Sequence, residues 1–154
     1  MVIFKEIKDN ELYLYINGNL VYKRWLDTGQ SKVFDVMAYD KYTHTSIRDL
    51  QYEHQNRLII FKVILRLKST EAGGRKNGII SGYRPNHVFE YTVDGKMDQT
   101  YIGNIVFDNE IQPGEERPVT VRFLMHEPIE KYMTKGRVWW IHEGPHQIGE
   151  VEIV

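Results

Sequence analysis

The chain contains no cysteine among its 154 residues. This absence excludes a disulfide framework, a zinc site built on thiolates, an iron–sulfur cluster and a cysteine nucleophile. It is also typical of proteins from a reducing compartment. An excess of charge is missing too, since 20 lysines and arginines stand against 21 aspartates and glutamates. That balance excludes a strongly basic protein that attracts polyanions over its whole surface.

Long apolar runs are also missing. The longest one, residues 58–67, is interrupted by Lys62 and Arg66, and it falls well short of the ~18 apolar residues of a membrane-spanning helix. The first residues, MVIFKEIKDN, include acidic side chains and no apolar run of signal-peptide length. We therefore expect a soluble, cytoplasmic protein that has no membrane partner.

The pattern that dominates the sequence has a period of two residues. Within residues 59–67 every odd position is apolar, whereas Lys62 and Arg66 occupy even positions. Residues 87–93 and 118–126 alternate in the same way. Turn-forming pairs such as Asn-Gly, Asp-Gly and Pro-Gly separate these runs. Many short strands with frequent turns predict an all-β barrel or sandwich.

The first 56 residues contain further strand patterns, and helical evidence is weak throughout. Strands are predicted over residues 2–7, 11–16, 20–26 and 32–38, with a hairpin turn at Asn17-Gly18. Short helical turns are predicted over residues 49–55 and 127–133. Because the N-terminal strands carry many apolar side chains, we expect residues 1–56 to pack on the rest of the chain.

Two short motifs match those of proteases. Residues 142–146 read His-Glu-Gly-Pro-His, the HExxH spacing of zinc proteases, which requires a helix. Glycine and proline inside the motif oppose a helix, so we interpret it as a turn between the last two strands. Asp27-Thr28-Gly29 matches the aspartic-protease triplet, whose chemistry needs two carboxylates and hence a homodimer here. We interpret this triplet as a turn as well, and an enzyme is the least favoured class.

Aromatic side chains offer a second chemical interpretation. Trp139-Trp140 and the tyrosines at positions 13, 15 and 22 suggest base stacking. Adjacent strand residues face opposite sides, so we expect one tryptophan in the core and the other partly exposed. Core packing with a surface aromatic is the favoured explanation. The sequence has no phosphate-binding loop, and we expect neither a cofactor nor a bound metal.

The last two thirds of the chain contain short motifs in a characteristic order. They are Glu71, Gly73, Gly74 and Arg75 in a glycine turn, Gly82-Tyr83-Arg84-Pro85 at a strand entry, Pro113-Gly114, Pro128-Ile129, and Glu143-Gly144 at the tip of a closing hairpin. In order and spacing, these motifs resemble the C-terminal (third) domain of bacterial elongation factor Tu, from about residue 58 to the end. The resemblance implies a closed antiparallel six-stranded barrel, in agreement with the period of two. Residues 1–56 show no such resemblance.

The resemblance also implies a function. In elongation factor Tu this barrel is not catalytic; it contacts the T-stem of aminoacyl-tRNA and helps to hold an exchange factor. The matching RNA-facing or partner-facing positions here are Arg75, Lys76, Arg84, Asn86, Glu143 and Gly144. No GTPase motif is present. His142 stands where the family has an arginine, which weakens the case for tRNA binding.

Together these observations predict a non-enzymatic, all-β interaction module. Residues 1–56 form a β-rich extension, and residues 57–154 form the barrel. We predict a protein partner, with a connection to translation, and RNA bound through Arg75, Lys76 and Arg84 as the alternative. We expect no binding of DNA.

Overall fold

The structure is a computed structural model that describes residues 1–52 and 57–154. In these ranges the chain is mostly strands with one short α-helix, which confirms the all-β prediction. The strands are β1 (Val2–Lys8), β2 (Glu11–Ile16), β3 (Asn19–Trp25), β4 (Ser31–Val33), β5 (Gln51–Tyr52), β6 (Leu58–Leu67), β7 (Asn86–Val88), β8 (Thr100–Val106), β9 (Glu116–Leu124), β10 (Val138–Glu143) and β11 (His146–Ile153). The helix α1 spans Val36–His44, and single 3-10 turns span Ile47–Asp49 and Glu130–Tyr132.

The chain divides into two compact units. The first unit comprises Met1–Ile59 and Leu124–Lys135, and the second comprises Ile60–Phe123 and Gly136–Val154. The first unit contains a five-stranded sheet in the order β4-β3-β2-β1-β5, in which only the β1–β5 pair is parallel. One face of this sheet carries the core of the unit, formed by Ile3, Leu14, Ile16, Val21, Tyr22, Tyr42 and Leu50.

The helix α1 is the main departure of the first unit from the sequence prediction. The strand predicted over residues 32–38 is wrong beyond Val33, because Asp35 caps a helix and accepts a hydrogen bond from the Ala38 amide at 3.0 Å. The apolar residues Val36 and Met37 suggested a strand, yet they are 71% and 85% exposed on the helix.

The two predicted helical turns had different outcomes. Within residues 49–55, Asp49 ends a 3-10 turn and Gln51–Tyr52 form β5, so a helix over residues 49–52 is wrong. Residues 53–55 of that prediction lie outside the described residues. The single turn predicted over residues 127–133 is present as the 3-10 turn Glu130–Tyr132.

The second unit is organised around a closed barrel. Its strand order is β10-β11-β6-β9-β8-β7, and β10 closes the ring by pairing with β7. All the pairs are antiparallel, which confirms the predicted six-stranded antiparallel barrel. The odd-numbered positions of β6 from Ile59 to Leu67 are all buried, as the period of two predicts. Strand β8 was not predicted, because Gly103 and Asn104 weaken its pattern. A Cβ atom at Gly103 would lie 2.9 Å from the Phe123 ring.

Both protease-like motifs are turns, as interpreted from the sequence. Glu143 pairs with His146 across the β10–β11 hairpin, and Gly144 at its tip has a φ of +55°. Residues 27–29 follow β3, where the Gly29 amide donates to the Trp25 carbonyl at 2.8 Å.

Trp139 is buried and Trp140 is half-buried, which confirms that one tryptophan lies in the core and the other is partly exposed. Among the described residues, no helix is long and apolar enough to cross a membrane.

Candidate functional site

A tight glycine turn positions Arg75. The Gly74 amide donates to the Ser69 carbonyl at 2.8 Å, and the Thr70 hydroxyl donates to the Arg75 carbonyl at 2.6 Å. Gly73 adopts a φ of +93°, which a glycine tolerates and other residues rarely adopt. The turn thereby closes on itself and presents the Arg75 side chain from a fixed backbone.

Arg75, Tyr83 and Glu143 meet in one cluster. The Arg75 guanidinium pairs with the Glu143 carboxylate and lies 5.3 Å from the centre of the Tyr83 ring. The Tyr83 hydroxyl donates a hydrogen bond to the same carboxylate. Burial raises the pKa of Tyr83 to about 12, so its phenol remains protonated and able to donate at neutral pH. The structure therefore brings together residues from the glycine turn, the strand entry and the hairpin tip.

A separate row of paired residues crosses three strands of the barrel, β10, β7 and β8. His142 of β10 pairs with Asn86 of β7, and Asn86 pairs in turn with Ile102 of β8. His142 is buried, and its Nε2 atom lies 2.5 Å from the Tyr91 hydroxyl. Burial lowers the pKa of His142, which favours the neutral ring at pH 7.

The other predicted residues are at the surface. Lys76 and Arg84 are exposed, and neither forms an ion pair within the part of the chain that the structure describes. Gly144 is exposed at the hairpin tip. Thus Arg75 and Glu143 are in direct contact, while Lys76, Arg84 and Gly144 present only solvent-facing groups.

Two participants were not among the predicted site residues. Tyr83 bridges Arg75 and Glu143, and the Gly-Tyr-Arg-Pro motif was the signal that pointed to it. Ile102 is 56% exposed beside Asn86, and no sequence signal marked it because its strand was not predicted. We call these predicted and added residues together the barrel patch, defined by Arg75, Tyr83, Arg84, Asn86, Ile102 and Glu143.

The glycine turn supplies a direct test of how Arg75 is held. A Cβ atom at Gly74 would press against the Lys68 carbonyl and lie 2.7 Å from the Ser69 carbonyl oxygen, both rigid backbone groups. We therefore expect Gly74→Ala to lower the free energy of unfolding by about 1–3 kcal/mol, measured by urea denaturation. Ala72→Ser in the same turn adds no Cβ atom and serves as the control. Equal stability of the two variants would contradict the close approach.

The fold defines the chain as an all-β protein with a closed six-stranded antiparallel barrel and a separate five-stranded sheet. No protein-family model matches the chain, and no curated protein is significantly similar to it.

Proposed function

We propose that the chain is a non-enzymatic interaction module whose barrel patch binds a protein partner. The observation that carries this proposal is the Arg75–Tyr83–Glu143 cluster. Ile102 adds an exposed apolar side chain on β8, two strands from β10 in the barrel. Tyrosine and arginine are enriched at protein interfaces and dominate their binding energy. The cluster is held in place before binding, which lowers the conformational entropy that association costs. The resemblance to the third domain of elongation factor Tu supports a partner connected with translation.

The charges of the barrel patch favour a protein over RNA. Glu143 neutralises Arg75, and its carboxylate would repel a phosphate placed at the same spot. His142 adds no charge because burial lowers its pKa. Lys76 and Arg84 remain as exposed cations, and they keep RNA binding through Arg75, Lys76 and Arg84 as the alternative function.

The proposal is tested by affinity capture from a lysate of the source cell, with and without nuclease treatment. Ile102→Asp places a charge at the apolar part of the barrel patch, and we expect it to reduce capture of the partner at least about tenfold. Ile60→Asp is the matched control, because Ile60 is also a strand residue and is 52% exposed, against 56% for Ile102. We expect Ile60→Asp to capture the partner like the unmodified chain.

The outcome separates the two functions. A captured protein supports the proposed function if its capture persists after nuclease treatment and is lost with Ile102→Asp but not with Ile60→Asp. Captured RNA that is lost with the double change Arg75→Glu and Lys76→Glu would support the alternative function. In that case the slope of log affinity against log salt concentration should be shallower by about 1.4–1.8 in the double variant. Equal loss with Ile60→Asp and Ile102→Asp would place the binding surface elsewhere.

A further inference from the structure

The sheet of the first unit has a second face, opposite its core, that is rich in aromatic rings. Alternation along β1 and β2 directs Ile3, Leu12 and Leu14 to the core face. The other face carries four half-buried aromatic residues. They are Phe4, Tyr13, Tyr15 and Trp25, and we call this surface the aromatic face.

The four rings lie in a series across three strands. Phe4 pairs with Tyr15, and their ring centres are 5.8 Å apart. Tyr13 lies two residues from Tyr15 on the same face of β2. The Lys23 ammonium lies 5.3 Å from the Tyr13 ring and 4.6 Å from the Trp25 ring, so it links these two aromatics. Because all four residues are half-buried, part of each side chain remains accessible to a ligand.

A groove extends the aromatic face at its Phe4 end. It has a volume of about 640 Å³ and is lined by Val2, Phe4, Tyr15, Asn17, Gly18 and Arg57. The Arg57 guanidinium lies 4.8 Å from the centre of the Phe4 ring. The groove therefore combines a flat aromatic wall with a planar cation, both of which suit a nucleobase and its neighbouring phosphate.

The charge of this face differs in sign from that of the whole chain. Strand pairing places Lys8 opposite Glu11 and Lys32 opposite Lys23, so these residues share the face with the rings. Among the described residues the face has four cations, Lys8, Lys23, Lys32 and Arg57, and two carboxylates, Glu6 and Glu11, of which Glu11 pairs with Lys23 at 2.8 Å. Counted over these residues, the face has an excess of two positive charges, whereas the chain has a net charge of −1.

We propose that the aromatic face binds single-stranded RNA, with bases stacked on the four rings and phosphates held by the surrounding cations. Stacking on aromatic side chains is tolerant of sequence, because every base has a flat π-face. The two carboxylates favour RNA over DNA. Glu6 accepts a bond from Tyr15, and Glu11 accepts bonds from Tyr13 and Lys23 at one oxygen. Each carboxylate still has lone pairs left for a 2′-hydroxyl donor. The proposal is independent of the protein partner proposed for the barrel patch.

The test measures the affinity of the full chain for a labelled oligouridylate by fluorescence anisotropy. We expect Tyr13→Leu and Tyr15→Leu each to weaken binding by roughly 5- to 150-fold, because leucine keeps apolar bulk and removes the ring. Tyr91→Leu is the matched control, a half-buried tyrosine of the second unit, and it should bind like the unmodified chain. Lys32→Ala removes one cation and should reduce the slope of log affinity against log salt concentration by about 0.7.

Competing nucleic acids and a mapping experiment complete the test. Oligodeoxyuridylate should bind about 2- to 13-fold more weakly, as expected for a lost 2′-hydroxyl hydrogen bond, and duplex RNA more weakly still. Equal affinity for DNA or duplex RNA would overturn the assignment, as would unchanged binding in both tyrosine variants. If those variants fail to fold, photo-cross-linking of bromouridine RNA to the unmodified chain decides. Adducts within residues 4–25 support the proposal, and adducts only in the barrel overturn it.

Discussion

Replacing Lys5 by methionine is expected to lower the free energy of unfolding of the first unit by about 3–5 kcal/mol. The Lys5 ammonium lies 2.9 Å from the Glu130 carboxylate, and the two side chains are 0% and 1% exposed. The ammonium also donates to the Glu127 carbonyl, and the Tyr42 hydroxyl donates to Glu130 at 3.1 Å. Methionine has nearly the same length but no charge, so Glu130 would remain as a buried carboxylate without its cation. Urea denaturation followed by circular dichroism measures the loss.

Two further variants identify the buried charge as the cause. The double change Lys5→Met and Glu130→Leu removes both charges, and we expect it to recover much of the lost stability. Asp27→Asn breaks the exposed ion pair with Lys135, whose charged atoms are 2.8 Å apart, and should cost less than about 1 kcal/mol. If Lys5→Met cost no more than Asp27→Asn, the buried pair would not stabilise the first unit as argued.

Acidification is expected to destabilise the barrel through His87. This ring is fully buried, its Nε2 atom lies 2.9 Å from the Gly103 carbonyl oxygen, and its Nδ1 atom accepts a hydrogen bond from the Trp139 indole at 3.0 Å. Burial lowers the pKa of His87 to about 4. In the unfolded chain the pKa of a histidine is about 6.5, so between these values the unfolded state binds a proton that the folded state excludes.

The stabilising effect of neutral His87 is therefore fully present above about pH 6.5 and falls as the pH drops towards about 4. The expected loss is about 3 kcal/mol, measured as the shift of the urea midpoint with pH. His87→Gln keeps one donor and one acceptor and should flatten this pH dependence in part, because burial also lowers the pKa of His126 and His142. His146→Gln changes an exposed histidine and should keep the full dependence. An unchanged pH dependence in His87→Gln would contradict the assignment.

Local patterns in the sequence predicted much of the fold. The alternation of β6 predicted a strand, and the Asn17-Gly18 pair predicted a hairpin turn. Both residues of that pair have positive φ, at +50° and +81°, as the tight β2–β3 hairpin requires. The helix α1 was not predicted, because it buries only Tyr42 and exposes Val36 and Met37. It therefore lacks the apolar stripe that marks a helix in a sequence.

Local sequence patterns did not predict the contacts between residues that are distant in the chain. Lys5 stands between Ile3 and Ile7 on an alternating strand, and nothing near it indicates that its partner lies 125 residues further on. Arg75 and Glu143 were selected through the resemblance to elongation factor Tu, and their direct contact became visible only in the structure. The sequence also held the aromatics of the first sheet, but the strand registers were needed to place them on one face.

Amide hydrogen exchange of the chain, alone and with the protein captured from the lysate, tests the central claim most directly. If the barrel patch binds that partner, exchange should slow in residues 73–86 and at the hairpin tip, Glu143–His146, where the backbone is at or near the surface. Strand β6 around Ile60 should exchange at the same rate in both samples. Slowed exchange confined to β1–β3, with the barrel patch unchanged, would contradict the account.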